Sequence, residues 1–441
     1  MHNSPVSCDT LITASLLVTQ DAGRRVIENA AIAVKDGRIL ALGTRAALAA
    51  YAPAEHVELG ASLLMPGLVN AHTHSSMTFL RGLADDLPLM DWLQGHIFPV
   101  EKHLERDIVR AGCLLGCAEM IRSGTTAFAD MYLLENAVAE AVDQCGLKAL
   151  AGEVIFAFPS PAYSSFEAAL ELVREQEKRW RGHPRVRVSV MPHAVYTTTP
   201  EIMQACHALA EELDIPLYLH LAETKAETLE CFAAHGKRPV EYCHSLGILG
   251  RRTSIAHGVD VTEAEQELLA ATGTKVAHNP KSNMKLASGI APIPSMLRYG
   301  VSVGLGTDGA ASNNSLNMFS EMSVCALLHK VAGQDPTLAP AQAVLDMATL
   351  GSAAVLGWGG LGRLEPGGPA DMVALDLTSP NLQPMYNPVS HLVYAATGHE
   401  VRFSMVDGKV LYKDGRFLSL DYPALLREAK ELQEWALSKR G

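Results

Sequence analysis

The stretch Met65–Gly82, MPGLVNAHTHSSMTFLRG, ends an apolar run with two histidines separated by one residue, His72 and His74. On a β-strand, residues two apart share a face, so both imidazoles converge on one spot and begin a metal site. A surface pair, or two hydrogen-bonded core histidines, would leave the same local pattern. Histidines and acids recur near the ends of later apolar runs: Asp130, Glu153, His193, His220 with Glu223, His257, His278 and Asp308. Buried without partners, each of these is costly. Eight runs that all end in polar groups are hard to explain by packing and point to one shared site. Within it, His72, His74, His220 and Asp308 form a three-histidine, one-carboxylate set. Such ligands suit zinc, with iron the alternative by ligand type. A coordination position left to water marks a catalytic metal, one that activates water near neutral pH.

The elements that would position these residues alternate in type. Apolar, β-rich runs appear at GLVNAHTH, TTAFADM, LKALAGEVIF, VRVSVMPHAVY, PLYLHLAET, SIAHGV, KVAHNP and VSVGLGTDG. Amphipathic helical stretches such as PEIMQACHALAEEL and TEAEQELLAAT fill most intervals. Eight strands with helical connections predict an α/β fold, a (β/α)8 TIM-like barrel with its active site at the C-terminal strand ends. A doubly wound open sheet is the runner-up, but no Gly-rich nucleotide turn follows the first strand. Both chain ends are β-rich. Asp36-Gly37, Asp407-Gly408 and Asp414-Gly415 each sit between apolar runs, a hairpin signature. Neither end can bury a good core alone. They are expected to pair into one small β-sandwich, with residues 1–65 and 364–441 flanking a catalytic barrel of 66–363. The second half should close with a helix, capped by Asp421, with Pro423 in its first turn and helical apolar spacing in ALLREAKELQEWAL.

Composition narrows the partners. The chain of 441 residues has a formal net charge of −12, with 48% hydrophobic and 19% charged residues. Nucleic acid and membrane surfaces recruit basic patches, so neither is expected to bind an acidic chain of this kind. No stretch approaches the roughly 18 to 20 apolar residues that span a bilayer. Eight cysteines without paired spacing do not suggest a disulfide framework, and Cys113 and Cys117, four apart on an apolar helix, read as core packing. The start, MHNSPVSCDT, has neither the basic segment nor the apolar run of a secretory signal, so a cytoplasmic setting is expected.

Taken together, the His-x-His after PGLVNA, the HLAET strand, AHG, HNPKSNMKLASG and GTDGAASNN resemble the amidohydrolase superfamily. In particular they resemble its methylthioadenosine/S-adenosylhomocysteine deaminase branch. The similarity covers nearly the whole chain, including the split sandwich. It implies one divalent metal per chain, zinc before iron, held by His72, His74, His220 and Asp308, with His257 acting beside it. Binuclear relatives carry a modified lysine on the fourth strand, and VRVSVMPHAVY contains none. The implied reaction is hydrolytic deamination at C6 of an adenine nucleoside, 5′-methylthioadenosine or S-adenosylhomocysteine, to the inosine analogue and ammonia. Attack at C6 builds negative charge on ring N1. Glu223 is suited to protonate that atom, because a buried acid near an apolar ring can be tuned for the task. As a plain helix-start acid it would also be favourable. His257 would orient the attacking water, and Asp308 would pass the water's proton to the departing ammonia.

Recognition residues follow from the same resemblance. Glu101 would bind the ribose hydroxyls, His193 the sugar or ring, and Trp92 would wall the base or thioether. Trp92 and Glu101 lie in MTFLRGLADDLPLMDWLQGHIFPVEKHL, which is long enough to cover the site mouth. Some relatives bind the homocysteine carboxylate with an arginine after strand three, and here FAFPSPAYSS has none. Arg81, or an arginine from another subunit, could substitute. A homo-oligomer, dimer or tetramer, is expected. Guanine-type or s-triazine aminohydrolases share the metal set, a dihydropyrimidinase-type enzyme would need two metals, and a non-catalytic scaffold would tend to lose ligands that are all present here.

Overall fold

The computed structural model describes residues 5–439. Strand Val6–Val18 lies within a nine-stranded sheet drawn from both chain ends. It pairs antiparallel with Val26–Lys35 and parallel with Tyr51–Glu58 and Ser62–Pro66. Ser62–Pro66 then pairs antiparallel with Met372–Asp376, so that Leu64 faces Ala374 across the junction of the two ends. Val401–Val406 and Lys409–Lys413 extend the sheet. Its core is Ile12, Leu17, Ile32, Leu64, Met372, Phe403 and Met405, contributed by both ends, which is why neither end could form it alone. All three Asp-Gly pairs turn with positive φ at both residues, for example Asp36 at 51° and Gly37 at 74°, as two-residue hairpin turns require.

Between these ends run eight parallel strands in sequence order. Leu68–Thr73, Thr125–Tyr132, Lys148–Ile155 and Val186–Val188, continued by Met191–Pro192, form one half. Leu217–Leu221, Thr253–His257, Lys275–His278 and Val303–Leu305 form the other. A parallel bridge from Val190 to Leu217 joins the halves. The opposite seam closes through Asn70, which accepts from Thr307 N at 3.0 Å and donates to Thr307 Oγ1 at 2.7 Å. Asp308 N also donates to His72 O at 2.9 Å. Sequential order around a closed ring is the barrel and not the doubly wound sheet. The strands are buried along nearly their whole length, as expected where helices cover a parallel sheet.

Helix Pro200–Leu213 shows how local chemistry sets these connections. Thr199 accepts from Ile202 N, Pro200 occupies the first turn, and Ile202, Met203, Cys206, Leu209 and Ala210 make one buried face. The final helix, Tyr422–Lys439, starts where Asp421 accepts from Ala424 N at 3.0 Å. It packs mainly on the barrel's first long helix, Arg106–Arg122, with Trp435 edge-on to Phe79 at 5.7 Å, and its first residue, Tyr422, meets Phe417 of the preceding sheet at 4.9 Å. All eight cysteines are buried and unpaired, and no helix among the described residues is long and apolar enough to cross a membrane. On the pairing of the two ends we propose the division 1–65, 66–363 and 364–441 as the chain's structural units.

One ion-pair cluster pins sheet to barrel. Lys148, at the start of the third barrel strand, reaches Asp371 Oδ2 at 2.6 Å and Asp407 Oδ1 at 2.7 Å. Lys148 and Asp371 are both buried. Lys148→Ala would leave those carboxylates uncompensated, a loss of about 3 to 5 kcal/mol for a buried pair. Urea unfolding should register a destabilisation of that size, whereas a surface pair such as Arg45–Glu58 should contribute under about 1 kcal/mol.

Candidate active site

His72 and His74 stand at the end of the first barrel strand with ring centroids 4.9 Å apart, as strand parity requires. His220, at the end of the fifth strand, brings its ring to 4.9 Å from His72 and 5.3 Å from His74. Ligand atoms of His72, His74 and His220 lie within 4.8 Å of one another, and His72, His257 and Asp308 form a second such triple. Asp308 follows the eighth strand in the left-handed region, φ 62°, and its Oδ1 is 3.0 Å from His74 Nε2 and 3.4 Å from His72 Nε2.

The donor set fits a divalent metal. His74 Nδ1 hydrogen-bonds the carbonyl of Met131, and His220 Nδ1 hydrogen-bonds that of His193 at 3.0 Å. Each bond directs the Nε2 lone pair inward, the arrangement typical of ligating histidine. Buried His72 makes no well-aligned hydrogen bond through either nitrogen, and Asp308 Oδ1 meets only the two imidazoles, at 3.0 and 3.4 Å and without good hydrogen-bond alignment. Such orphaned atoms at the convergence of four side chains are what a cation would satisfy. Asp308 Oδ2, by contrast, accepts from Ser282 Oγ at 2.6 Å and Ser312 Oγ at 3.0 Å.

Electrostatics follow from burial around one carboxylate. Burial lowers His72 to about 4 and His193 to about 3, and holds His220 well below the ordinary imidazole value. Burial also works against a charge on His74, but the hydrogen bond and charge of Asp308 outweigh it and raise His74 to about 9. Burial opposes the charge of Asp308 as well. Its bonds to His72 and His74 prevail and hold it well below the carboxylate range.

On the far side of the cluster Glu223 is buried, and burial raises its pKa. Its Oε2 lies 3.8 Å from His257 Nε2. His257 Nδ1 faces Asn283 Oδ1 at 2.8 Å. The Asn279 amide is best oriented with its nitrogen donating to the carbonyls of His278 and Gly306, each at 3.3 Å, which turns its oxygen toward the same imidazole. Two amide oxygens on Nδ1 put the hydrogen there and leave Nε2 as an acceptor facing the site. Glu227 clamps the turn that carries Glu223, its two oxygens accepting from Ala222 N at 3.0 Å and Glu223 N at 2.7 Å.

A cavity of about 50 Å³ joins these groups, lined by His74, His193, His220, Glu223, His257 and Asp308 on one side. Trp92, Leu89, Leu93, Tyr196 and Leu286 form the other wall. His193 Nδ1 is 2.8 Å from Thr197 Oγ1. Glu101 is buried beside Tyr132 and is not among the residues that line this cavity, and burial raises its pKa against the opposing influence of Tyr132 and His74.

Three of the polar strand-end residues serve the scaffold. Asp130 accepts from Ser75 N at 2.7 Å and Ser75 Oγ at 2.5 Å, and Glu153 accepts from Leu134 N at 2.9 Å and Glu135 N at 2.8 Å. His278 turns outward to His329, Nε2 to Nε2 at 3.2 Å. Residues that sequence reasoning did not assign are Ser282, Ser312, Asn283, Glu227, Tyr196, Leu89 and Leu93. The i, i+4 spacing of Leu89 and Leu93 around Trp92 was a readable signal for an apolar lid. Nothing local marks the serines.

The model of the Amidohydrolase family matches residues 63–411. The 5-methylthioadenosine/S-adenosylhomocysteine deaminase of Nitratidesulfovibrio vulgaris is 64% identical over 435 residues, 98% of this chain and 99% of that protein. The protein of the same name from Desulfovibrio desulfuricans is 56% identical over 98% of this chain and 99% of its own length. Among solved structures, a zinc-bound adenosine deaminase from Xanthomonas campestris superposes with a TM-score of 0.96 at 39% identity, covering 98% of this chain and 100% of that one. E. coli guanine deaminase, with a TM-score of 0.84 and 24% identity, covers 92% of this chain and 99% of its own, and shares the fold.

The fit of the donor set has a direct check. His72→Ala combined with His74→Ala should abolish metal retention, read by elemental analysis of the purified protein. Cooperative thermal unfolding should persist, because strand packing elsewhere is untouched. A double variant that kept its metal and its rate would overturn the ligand assignment.

Proposed function

This chain belongs to the amidohydrolase family, and we propose that within it the protein is a metal-dependent hydrolytic deaminase of adenine nucleosides. Its substrates are 5′-methylthioadenosine and S-adenosylhomocysteine, and its products the inosine analogue and ammonia. The observation that carries this reading is Glu223, a buried acid with a raised pKa, facing His257 beside the orphaned atoms of His72 and Asp308. His72, His74, His220 and Asp308 would hold one divalent metal per chain, zinc before iron. That metal would supply Lewis-acid activation of water near neutral pH.

The chain's own groups have separable tasks. Glu223 gives its proton to ring N1 as charge develops there, and burial, by raising its pKa, favours the protonated form that this role needs. His257 orients the attacking water through the acceptor Nε2 that its Nδ1 bonding leaves free. Asp308 takes one proton of the water and passes it to the amino group, which leaves as ammonia, while Glu223 recovers a proton from the C6 hydroxyl as the 6-oxo group forms. Ser282 and Ser312 keep the Asp308 carboxylate in one orientation. Glu101 binds the ribose, and His193 and Trp92 contact the sugar and base. A cavity of about 50 Å³ holds water but no nucleoside, so the segment around Leu89–Trp92 swings outward to admit one. The protein works as a homo-oligomer in the cytoplasm. Exposed Leu327 and Val331, one turn apart on helix Met318–Gly333, and eight unpaired thiols support that setting.

Glu223→Gln keeps size and hydrogen bonding but cannot cycle a proton. Its kcat for 5′-methylthioadenosine should fall by about 10² to 10⁴, with metal content unchanged and affinity little altered. Loss of adenine absorbance and release of ammonia measure it. Deamination within tenfold of the wild type would transfer the protonation to another residue.

Between the two substrates the geometry favours the uncharged one. Phe156 stacks on Phe158 at 4.7 Å and packs on His193 at 4.9 Å, and the segment 156–165 carries no cation. Arg81 is taken by Glu119 and the carbonyl of Asn314, and Lys285 by Asp85 and Asn314. These cations of the subunit's own described residues therefore do not supply a charged hydrogen bond to the homocysteine carboxylate, worth about 1.5 to 3 kcal/mol. Steady-state kinetics should give a kcat/KM for 5′-methylthioadenosine at least about tenfold above that for S-adenosylhomocysteine.

A further inference from the structure

A second cavity, about 1190 Å³, opens at the opposite end of the barrel from His72 and Asp308. Its floor is the N-terminal ends of the fourth to seventh strands, and its rim includes the sandwich hairpin tips at Asp36-Gly37 and Asp407. These are Asp-Gly turns from the two chain ends, and they meet so closely that a Cβ on Gly37 would lie 2.8 Å from Asp407 O.

The lining is cationic in a chain whose net charge is −12. Lys148, Arg181, Arg185 and Arg252 are each paired with a carboxylate. Arg38, Arg187, Arg251, Lys275 and Lys409 have no carboxylate partner among the described residues. Arg38 donates to Gly367 O at 2.8 Å, and Lys275 to the carbonyl of Arg251. Arg187 donates to Gly357 O at 3.2 Å, with its guanidinium 4.2 Å over Trp358. Of the carboxylates lining the cavity, Glu177, Asp214 and Asp407 are held by Arg181, Arg252 and Lys148, which leaves Asp36. Burial lowers the pKa of Lys275, aided by the charge of Arg251, and that of Arg187. Five cations without carboxylate partners around one open cleft make its potential positive and favour an anion there.

We propose that this cleft is a binding site for a small anion carrying several phosphate groups. Guanidinium forks and ammonium groups match phosphate oxygens, and five cations exceed what a single carboxylate could neutralise. Walls on the barrel and sandwich sides set a small-molecule scale. Arg187 covers one face of Trp358, which closes that face to a stacked base, and the cations favour the phosphate chain as the recognised part. The proposal is independent of the deaminase reading.

Calorimetric titration of the metal-loaded enzyme with inorganic tripolyphosphate and, separately, with ATP tests it. Both should bind saturably with one site per chain and similar affinity, weakening as salt rises. Arg187→Ala with Lys275→Ala, and separately Arg38→Glu with Lys409→Glu on the exposed hairpin tips, should each weaken binding by about tenfold or more, since charge-assisted hydrogen bonds are lost. Deamination of 5′-methylthioadenosine should be unchanged in both variants. Absence of saturable binding overturns the proposal. So does equal binding in wild type and variants, which would report chelation of the catalytic metal, and so does binding of ATP alone, which would assign recognition to the nucleoside. A face buried between copies would show as loss of the oligomer in the charge-reversed variant, without tripolyphosphate binding by the wild type, and would overturn it too.

Discussion

The carboxylate of Asp308 makes the burial of its imidazole neighbours tolerable. Burial drives His72, His193 and His220 toward neutrality, so the centre offers lone pairs and little positive charge. Asp308 keeps its negative charge there because His74 and His72 lie against Oδ1, while Ser282 and Ser312 donate to Oδ2. At neutral pH that charge needs a cation, either a proton on His74, whose pKa is lifted to about 9, or a divalent metal in its place. The same residue is a joint of the barrel, since its backbone N–H bonds His72 across the seam between the last and first strands. The bond that closes the barrel thus also joins two of the proposed ligands of the centre.

Carboxylates also hold the turns that aim the reacting side chains. Asp130 grips the turn after His74, Glu153 the turn at Leu134, and Glu227 the turn at Ala222. Leu134 and Ala222 have φ of 60° and 54°, strained for residues with a Cβ, and each adjoins backbone N–H groups that a buried carboxylate accepts. Burial lifts Glu153 and Glu227 to about 7, since two backbone bonds only partly offset desolvation. Their purpose is geometric. They fix where Glu223 and the metal-side loops stand, on rigid strand ends and not on mobile loops.

The two ends of the barrel thus carry opposite electrostatic designs. At the C-terminal ends a single carboxylate gathers neutral imidazoles. At the N-terminal ends Lys148 ties the third strand to Asp371 and Asp407 of the sheet, and around it stand cations without partners. The sheet built from both chain termini does more than shield the barrel floor. Its hairpin tips supply part of that basic rim.

Much of this was legible in the linear chain. Apolar runs marked all eight barrel strands because a parallel strand covered on both faces is apolar nearly throughout. His72 and His74 declared a shared face because strand parity is a covalent fact. Asp-Gly pairs declared hairpins because their turns demand positive φ. What the chain could not declare was which polar strand-end residues face inward. Asp130, Glu153 and His278 end their strands as His220 and His257 do, yet the first two hold backbone and the third turns to His329. Strand parity tells which residues share a face, while the closure and tilt of the whole barrel decide which face is the interior. Ser282, Ser312 and Glu227 were invisible for a related reason, because a hydroxyl or carboxylate becomes a positioning group only when tertiary structure brings its partner within about 3 Å.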